Sequence, residues 1–239
     1  MLRASHISKR IGGRVILDDV SIQVEPGTIT AVIGPSGAGK TTLLKLLSLV
    51  ESPDAGSIEW DEKKFSFPST QEIVPPWPLV SVAFQQLFVW PHLTLRQNIE
   101  LPLKRRGVKG YENRLNELLS LFDMHEFVDR FPNEVSLGQR QRTALVRALA
   151  LEPKYLLLDE ITSSLDIEQS AAILSHLEDV KDQGVGILIV THHINFAAKA
   201  SDHVVFMDGA RIVEAGDVAI LKKPQSERLK KFLSLAKET

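Results

Sequence analysis

Residues 34–42 read Gly-Pro-Ser-Gly-Ala-Gly-Lys-Thr-Thr, the G-x-x-x-x-G-K-T spacing of a phosphate-binding loop. In such a loop the backbone around Gly34, Pro35, Ser36, Gly37, Ala38 and Gly39 turns its N–H groups inward on phosphate oxygens. Lys40 adds a point charge, Thr41 offers a hydroxyl to Mg²⁺, and Thr42 continues into the helix behind. A plain glycine turn would not require Lys-Thr at that offset. A second anchor, Asp159-Glu160, follows the apolar run 155–158. At a strand end Asp159 can hold Mg²⁺ through water opposite Thr41. Glu160 beside it can orient and deprotonate an attacking water.

These groups need a strand, a loop and a helix in that order. Residues 29–33 (Ile-Thr-Ala-Val-Ile) read as a buried strand and residues 42–47 as a helix. The helix N-terminus adds the positive end of its dipole to the loop. Upstream, residues 2–24 alternate short apolar runs with Gly12-Gly13 and Asp18-Asp19, the pattern of paired strands joined by turns. Residues 57–60 and 64–67 alternate polar and apolar, which predicts a second, antiparallel layer. The proline-rich stretch 68–79 is a connection, and residues 80–84 form a strand. From there to about residue 150 the period is helical, with Leu95, Ile99 and Leu103, then Leu115, Leu118, Leu119 and Phe122, three and four apart. Strand character returns at 155–158 and 186–190, around a helix at about 170–183. Strands alternating with helices predict an α/β fold with a mainly parallel central sheet. The expected organisation is one domain over 1–239, with a core from 1–90 and 151–239 and an inserted helical lobe at 91–150.

The bulk numbers narrow the partners. A chain of 239 residues fits one α/β domain with an insert. A net charge of -2 with 24% charged residues gives no basic field, so no nucleic-acid partner is expected. The absence of cysteine removes disulfides and thiolate metal sites and fits the cytosol. No apolar run reaches the roughly 18–20 residues of a membrane span, and no signal-peptide core opens the chain. Work at a membrane would therefore need another chain to cross it.

Further motifs, in order, carry a resemblance. Gln85 follows Val82-Ala83-Phe84. Val135-Ser136-Leu137-Gly138-Gln139 opens a helix carrying Arg140, Arg142 and Arg147. Ser163-Ser164-Leu165-Asp166 and Val190-Thr191-His192 come later. With the phosphate loop and Asp159-Glu160, this set resembles the ATP-binding subunits of ABC transporters over nearly the whole chain. The resemblance implies a P-loop NTPase fold, ATP and Mg²⁺ as cofactors, and ATP hydrolysis driving transport. It implies that Gln85 touches the metal beside Thr41 and Asp159, that Glu160 is the general base, and that His192 reaches the γ-phosphate. Ser136, Gly138, Gln139 and Asp166 would complete the nucleotide site of a second ATPase subunit, a homodimer in preference to a heterodimer. A membrane-spanning permease follows as partner, with a solute-binding protein as a further one, and a cytoplasmic place on the inner face of the plasma membrane. Phe84-Gln85-Gln86, Pro91-His92-Leu93-Thr94, Phe131-Pro132 and the ending with Pro224-Gln225 resemble ATPases of polar amino-acid uptake systems. The extra C-terminal domain of sugar-importer ATPases is not expected. The alternatives are a non-transport ABC ATPase or a low-turnover regulatory subunit.

Two positions depart from the family pattern. Ile11 stands where an aromatic residue usually stacks on adenine, which predicts weaker or less base-selective ATP binding, with Arg14 as a substitute stacking plane. Leu137 replaces the usual third-position glycine of the signature, at the site this chain offers to its partner. A smaller change is Ile161 for proline. His193, next to His192, is expected to point the opposite way, as neighbours in an extended segment do.

Overall fold

The computed structural model describes residues 1–70, 73–161 and 167–236. Its centre is a six-stranded sheet in the order β10-β9-β3-β8-β7-β6, formed by β3 (Ile29–Ile33), β6 (Val80–Ala83), β7 (Tyr155–Asp159), β8 (Gly186–Val190), β9 (His203–Asp208) and β10 (Arg211–Asp217). All neighbouring pairs are parallel except β9 with β10, which closes one edge as an antiparallel hairpin. Every residue of β3, β7 and β8 is buried, because helices or a second sheet cover both faces.

Alternate side chains of these strands enter different cores. Val32, Leu157, Leu188 and Val190 meet the helix α1 (Lys40–Leu47) and the antiparallel layer. Leu156, Leu158, Ile187 and Ile189 meet α5 (Ile167–Asp182) and the helical lobe. The antiparallel layer has the order β2-β1-β4-β5, from β1 (Leu2–Ile11), β2 (Arg14–Val24), β4 (Ala55–Trp60) and β5 (Lys63–Phe67). Gly12-Gly13 is the turn between β1 and β2. Asp18-Asp19 is not a turn, contrary to the sequence expectation. It lies inside β2 where the pairing register shifts, with Asp19 at φ 56°. A bulge needs a residue that tolerates the left-handed region, and Asp does.

The lobe holds α2 (Leu95–Arg105), α3 (Glu112–Leu121) and α4 (Leu137–Leu149). The periodic residues Leu95, Ile99, Leu103, Leu115, Leu118, Leu119 and Phe122 all fall in one core. Thr94 caps α2 through a capping box with Gln97. Buried Asn98 holds the approach to that helix: it donates to the carbonyls of Trp90, Leu93 and Thr94 at 3.1, 3.1 and 2.9 Å, and it accepts from the Trp90 amide at 2.7 Å. The helix α7 (Glu227–Ala236) buries Leu229 and Leu233 against Ala31, Ile33, Val204 and Phe206, beside α6 (Ile194–Ala200). No helix among the described residues is long and apolar enough to cross a membrane.

Candidate functional site

The chain leaves β3 at Ile33, turns through residues 34–39 and enters α1 at Lys40. Gly34 has φ 151°, and a Cβ there would lie 2.1 Å from the Met207 carbonyl oxygen. Gly39 has φ 98°, and its Cβ would lie 2.5 Å from the Ile16 carbonyl oxygen. Only glycine permits both approaches. Ser36 and Gly37 sit exposed at the rim, while Ala38 is buried.

Lys40 is buried, and its Nζ donates to the carbonyls of Gly34 and Pro35 at 2.8 and 2.9 Å. The ammonium therefore closes the loop on itself. Burial lowers its pKa, and the carboxylates of Glu160 and Asp159 oppose that shift. Asp159 ends β7 with 2% of its surface exposed, and accepts a hydrogen bond from Thr41 Oγ1 at 3.2 Å. Burial raises its pKa, against the Thr41 hydrogen bond, and neighbouring Glu160 adds to the rise.

Glu160 occupies the left-handed region at φ 49°, and its amide donates to the Val190 carbonyl at 2.8 Å. Backbone held in that region concentrates at functional sites. Its carboxylate is gripped on both oxygens. Gln85 Nε2 donates to Oε2 at 3.1 Å, and His192 Nδ1 lies 3.1 Å from Oε1. In this structure, then, the Gln85 amide contacts Glu160. His193 does not point away from His192: the two rings are 4.1 Å apart between centroids. The strand has already ended at Val190 and His193 stands at the first position before α6, so the alternation of an extended chain does not apply.

The structure thus brings Lys40, Thr41, Asp159, Glu160, Gln85 and His192 together. Ser136, Gly138 and Gln139 belong to the lobe. Ser136 caps α4, accepting from the Gln139 amide at 3.2 Å, while Gln139 Oε1 accepts from the Ser136 amide at 2.9 Å. Those hydrogen bonds stay within their own helix. Leu137 opens that helix with 43% of its surface exposed, and Gly138 is buried. Asp166 lies outside the described residues.

Hard oxygen donors from Thr41 and Asp159 beside a phosphate loop fit Mg²⁺, which is commonly held by one or two carboxylates together with substrate phosphates. Among the described residues no cluster of three or more His, Cys, Asp or Glu side chains could cage a metal alone. The donor set suits an ion that arrives with a nucleotide.

Sequence reasoning missed the left-handed Glu160 and the direct Gln85–Glu160 contact. Neither has a signal in composition or period, because both depend on how β6 and β7 pair. The register that sets Ala83 beside Leu158 brings the residues two positions further on, Gln85 and Glu160, to one strand end.

Ile11 ends β1 opposite Arg14 with 48% of its surface exposed. The Gly39 contact with Ile16 lays this hairpin beside the loop. A base whose phosphates occupy residues 34–41 would meet an aliphatic edge. Ile11→Tyr is accordingly expected to lower the Kd for ATP about fivefold or more, since base–aromatic stacking contributes about 1–3 kcal/mol. Equilibrium titration with ATP checks this, and an unchanged Kd contradicts it.

Comparison with known proteins shows what the whole chain is similar to. The family model described as ABC transporter matches residues 17–163. The arginine transport ATP-binding protein ArtP of Haemophilus influenzae is 36% identical, covering 98% of this chain and 99% of its own. The glutamine transport ATP-binding protein GlnQ of Escherichia coli is also 36% identical, covering 98% of each chain. Among solved structures, the dimeric bacterial ABC transporter cassette MJ0796 superposes with a TM-score of 0.81 at 27% identity, over 91% of this chain and 99% of that one. Its post-hydrolysis state bound to ADP and Pi gives the same TM-score and identity.

Proposed function

The chain belongs to the ABC transporter family of ATP-binding cassettes, and from that premise we propose that it hydrolyses Mg-ATP as a dimer to drive a membrane-spanning permease. One observation carries the reading. Thr41 with Asp159, and Gln85 and His192 with Glu160, are joined by hydrogen bonds, while the Ser136 helix start makes its capping hydrogen bonds within its own helix. On this reading the Ser136 helix start is the half-site offered to a partner's nucleotide.

Phosphoryl transfer to water spreads charge over equatorial oxygens and needs donors from several directions. Lys40 exchanges the Gly34 and Pro35 carbonyls for phosphate oxygens, and the backbone of residues 34–39 lines the rest. Thr41 and Asp159, with Gln85, would hold Mg²⁺, which would supply neutralisation of the phosphate charge. Glu160 takes the proton from the attacking water. Gln85 and His192 fix the two oxygens of that carboxylate until nucleotide arrives, and His192 then turns to the γ-phosphate. Ser136, Gly138 and Gln139 of a second copy supply donors from the open side, with Asp166 beside them.

The names of the relatives, arginine and glutamine transport ATP-binding proteins and an L-cystine import ATP-binding protein, support import of a polar amino acid or a similar small solute, with a solute-binding protein delivering it. The cassette would then sit on the cytoplasmic face, held to the plasma membrane by the permease. A second reading, a regulatory subunit of low turnover, is favoured by exposed Leu137, a bulky side chain next to the Ser136 cap at the first position of α4. Steady-state ATP hydrolysis by the complex with its permease decides between them. Turnover on the order of 10 per second, ordinary for enzymes, is expected. Leu137→Gly is expected to raise it by no more than about threefold, under 1 kcal/mol of barrier. A wild-type rate near zero that Leu137→Gly restores would establish the regulatory reading instead.

A further inference from the structure

Residues 84–94, between β6 and α2, contain neither strand nor helix, so their carbonyls have no ladder partners. Asn98 of α2 holds three of them, those of Trp90, Leu93 and Thr94, and two more, closer to Gln85, are held from α4. In the last turn of α4, Arg147 donates from Nη1 to the Phe88 carbonyl and from Nη2 to the Leu87 carbonyl, both at 2.9 Å. Its guanidinium carbon also lies 5.3 Å from the centre of the Trp90 ring.

This cation is unusual in what surrounds it. It is half-buried, burial lowers its pKa, and among the described residues no carboxylate pairs with it. Burying a guanidinium without a counter-ion is costly. The compensation comes from two carbonyl oxygens and an indole face, which require a planar fork and not merely a charge. The clamped segment begins at Gln85, the residue whose amide meets Glu160. It is drawn tight as well: Phe88 takes φ 46°, and its ring packs edge-on against Phe84 at 5.9 Å.

The same helix begins at the Ser136 cap. Eleven residues, at about 1.5 Å each, separate the two ends by about 16 Å of rigid helix. One continuous helix thus joins the Ser136 cap to the guanidinium that holds the carbonyls behind Gln85.

We propose that Arg147 is a positioning residue: its bidentate grip on Leu87 and Phe88 sets Gln85 against Glu160, and so ties the state of the outward-facing Ser136 helix start to the readiness of the chain's own catalytic carboxylate. The inference rests on the reading of Glu160 and Gln85 as site residues. It adds that the coupling between the two half-sites runs through one guanidinium.

A double-mutant cycle on the permease-bound complex tests it, with Arg147→Lys, Gln85→Ala and the pair. Lysine keeps the charge but cannot hold two carbonyls at once. Arg147→Lys is expected to lower kcat about tenfold with the KM for ATP within about twofold, and to lower kcat by less than about twofold when Gln85 is already alanine. Independent, multiplying effects would overturn the proposal. So would full activity of Arg147→Lys, a loss expressed only in KM, or a lowered thermal midpoint with unchanged activity per folded molecule. Glu160→Gln, measured alongside, keeps the two readings apart. Full activity there would remove the site assignment, whereas non-additivity of Arg147 with Gln85 is read independently of it.

Discussion

Glu160→Gln is expected to lower kcat for ATP hydrolysis about 10²–10⁴-fold while leaving the Kd for ATP within a few-fold, the loss typical of removing a general base. The substitution is isosteric. The backbone at φ 49° and the amide bond to Val190 do not involve the side chain, so the strained turn that presents the group survives. The amide oxygen can still accept from Gln85, but the side chain no longer takes a proton from water. Lys40, Thr41 and Asp159, which hold the phosphates and the metal in this account, are untouched. Single-turnover hydrolysis and equilibrium ATP binding, measured on the same sample, separate chemistry from affinity. Hydrolysis at the wild-type rate would remove Glu160 from its assigned role.

Gly34→Ala is expected to weaken ATP binding by about a hundredfold. The added Cβ would stand 2.1 Å from the Met207 carbonyl oxygen, which belongs to β9, a strand paired with β3 on one side and β10 on the other, and cannot withdraw without disturbing that pairing. The loop has to move instead, and Gly34 also stands at a φ that other residues rarely adopt. Strain of about 1–3 kcal/mol corresponds to roughly a five- to hundredfold loss in binding. The steric overlap puts this case at the upper end. Titration with ATP, together with a thermal melt to show that the variant folds, provides the check. Binding within twofold of the wild type would mean that the loop tolerates displacement.

How far such a site can be read from sequence depends on whether the information is local. The buried strands β3, β7 and β8 are continuous apolar runs because both faces of the sheet are covered, and their lengths show in the letters. The lobe helices show equally well, since Leu95, Ile99 and Leu103 repeat at the helical period. Motif residues at strand ends follow from these elements. What did not show was set by contacts between distant segments. Asp18-Asp19 carries the composition of a turn, yet the strands on either side continue and the pair becomes a bulge tied to Ala210 and Arg211. His192 and His193 follow a strand whose last residue, Val190, is known only from its pairing with Asp159. Arg147 reads as one more polar residue on a helix, and its fork becomes visible only when the loop from β6 arrives beneath it.

The central claim is that each nucleotide site is completed by a second copy of the chain, through Ser136, Gly138 and Gln139. It is tested most directly by the molar mass in solution of Glu160→Gln, measured by light scattering with and without saturating Mg-ATP. The account predicts a single chain without nucleotide and twice that mass with it, because bound ATP that cannot be hydrolysed holds the two half-sites closed. A mass that stays at one chain under saturating ATP would contradict it.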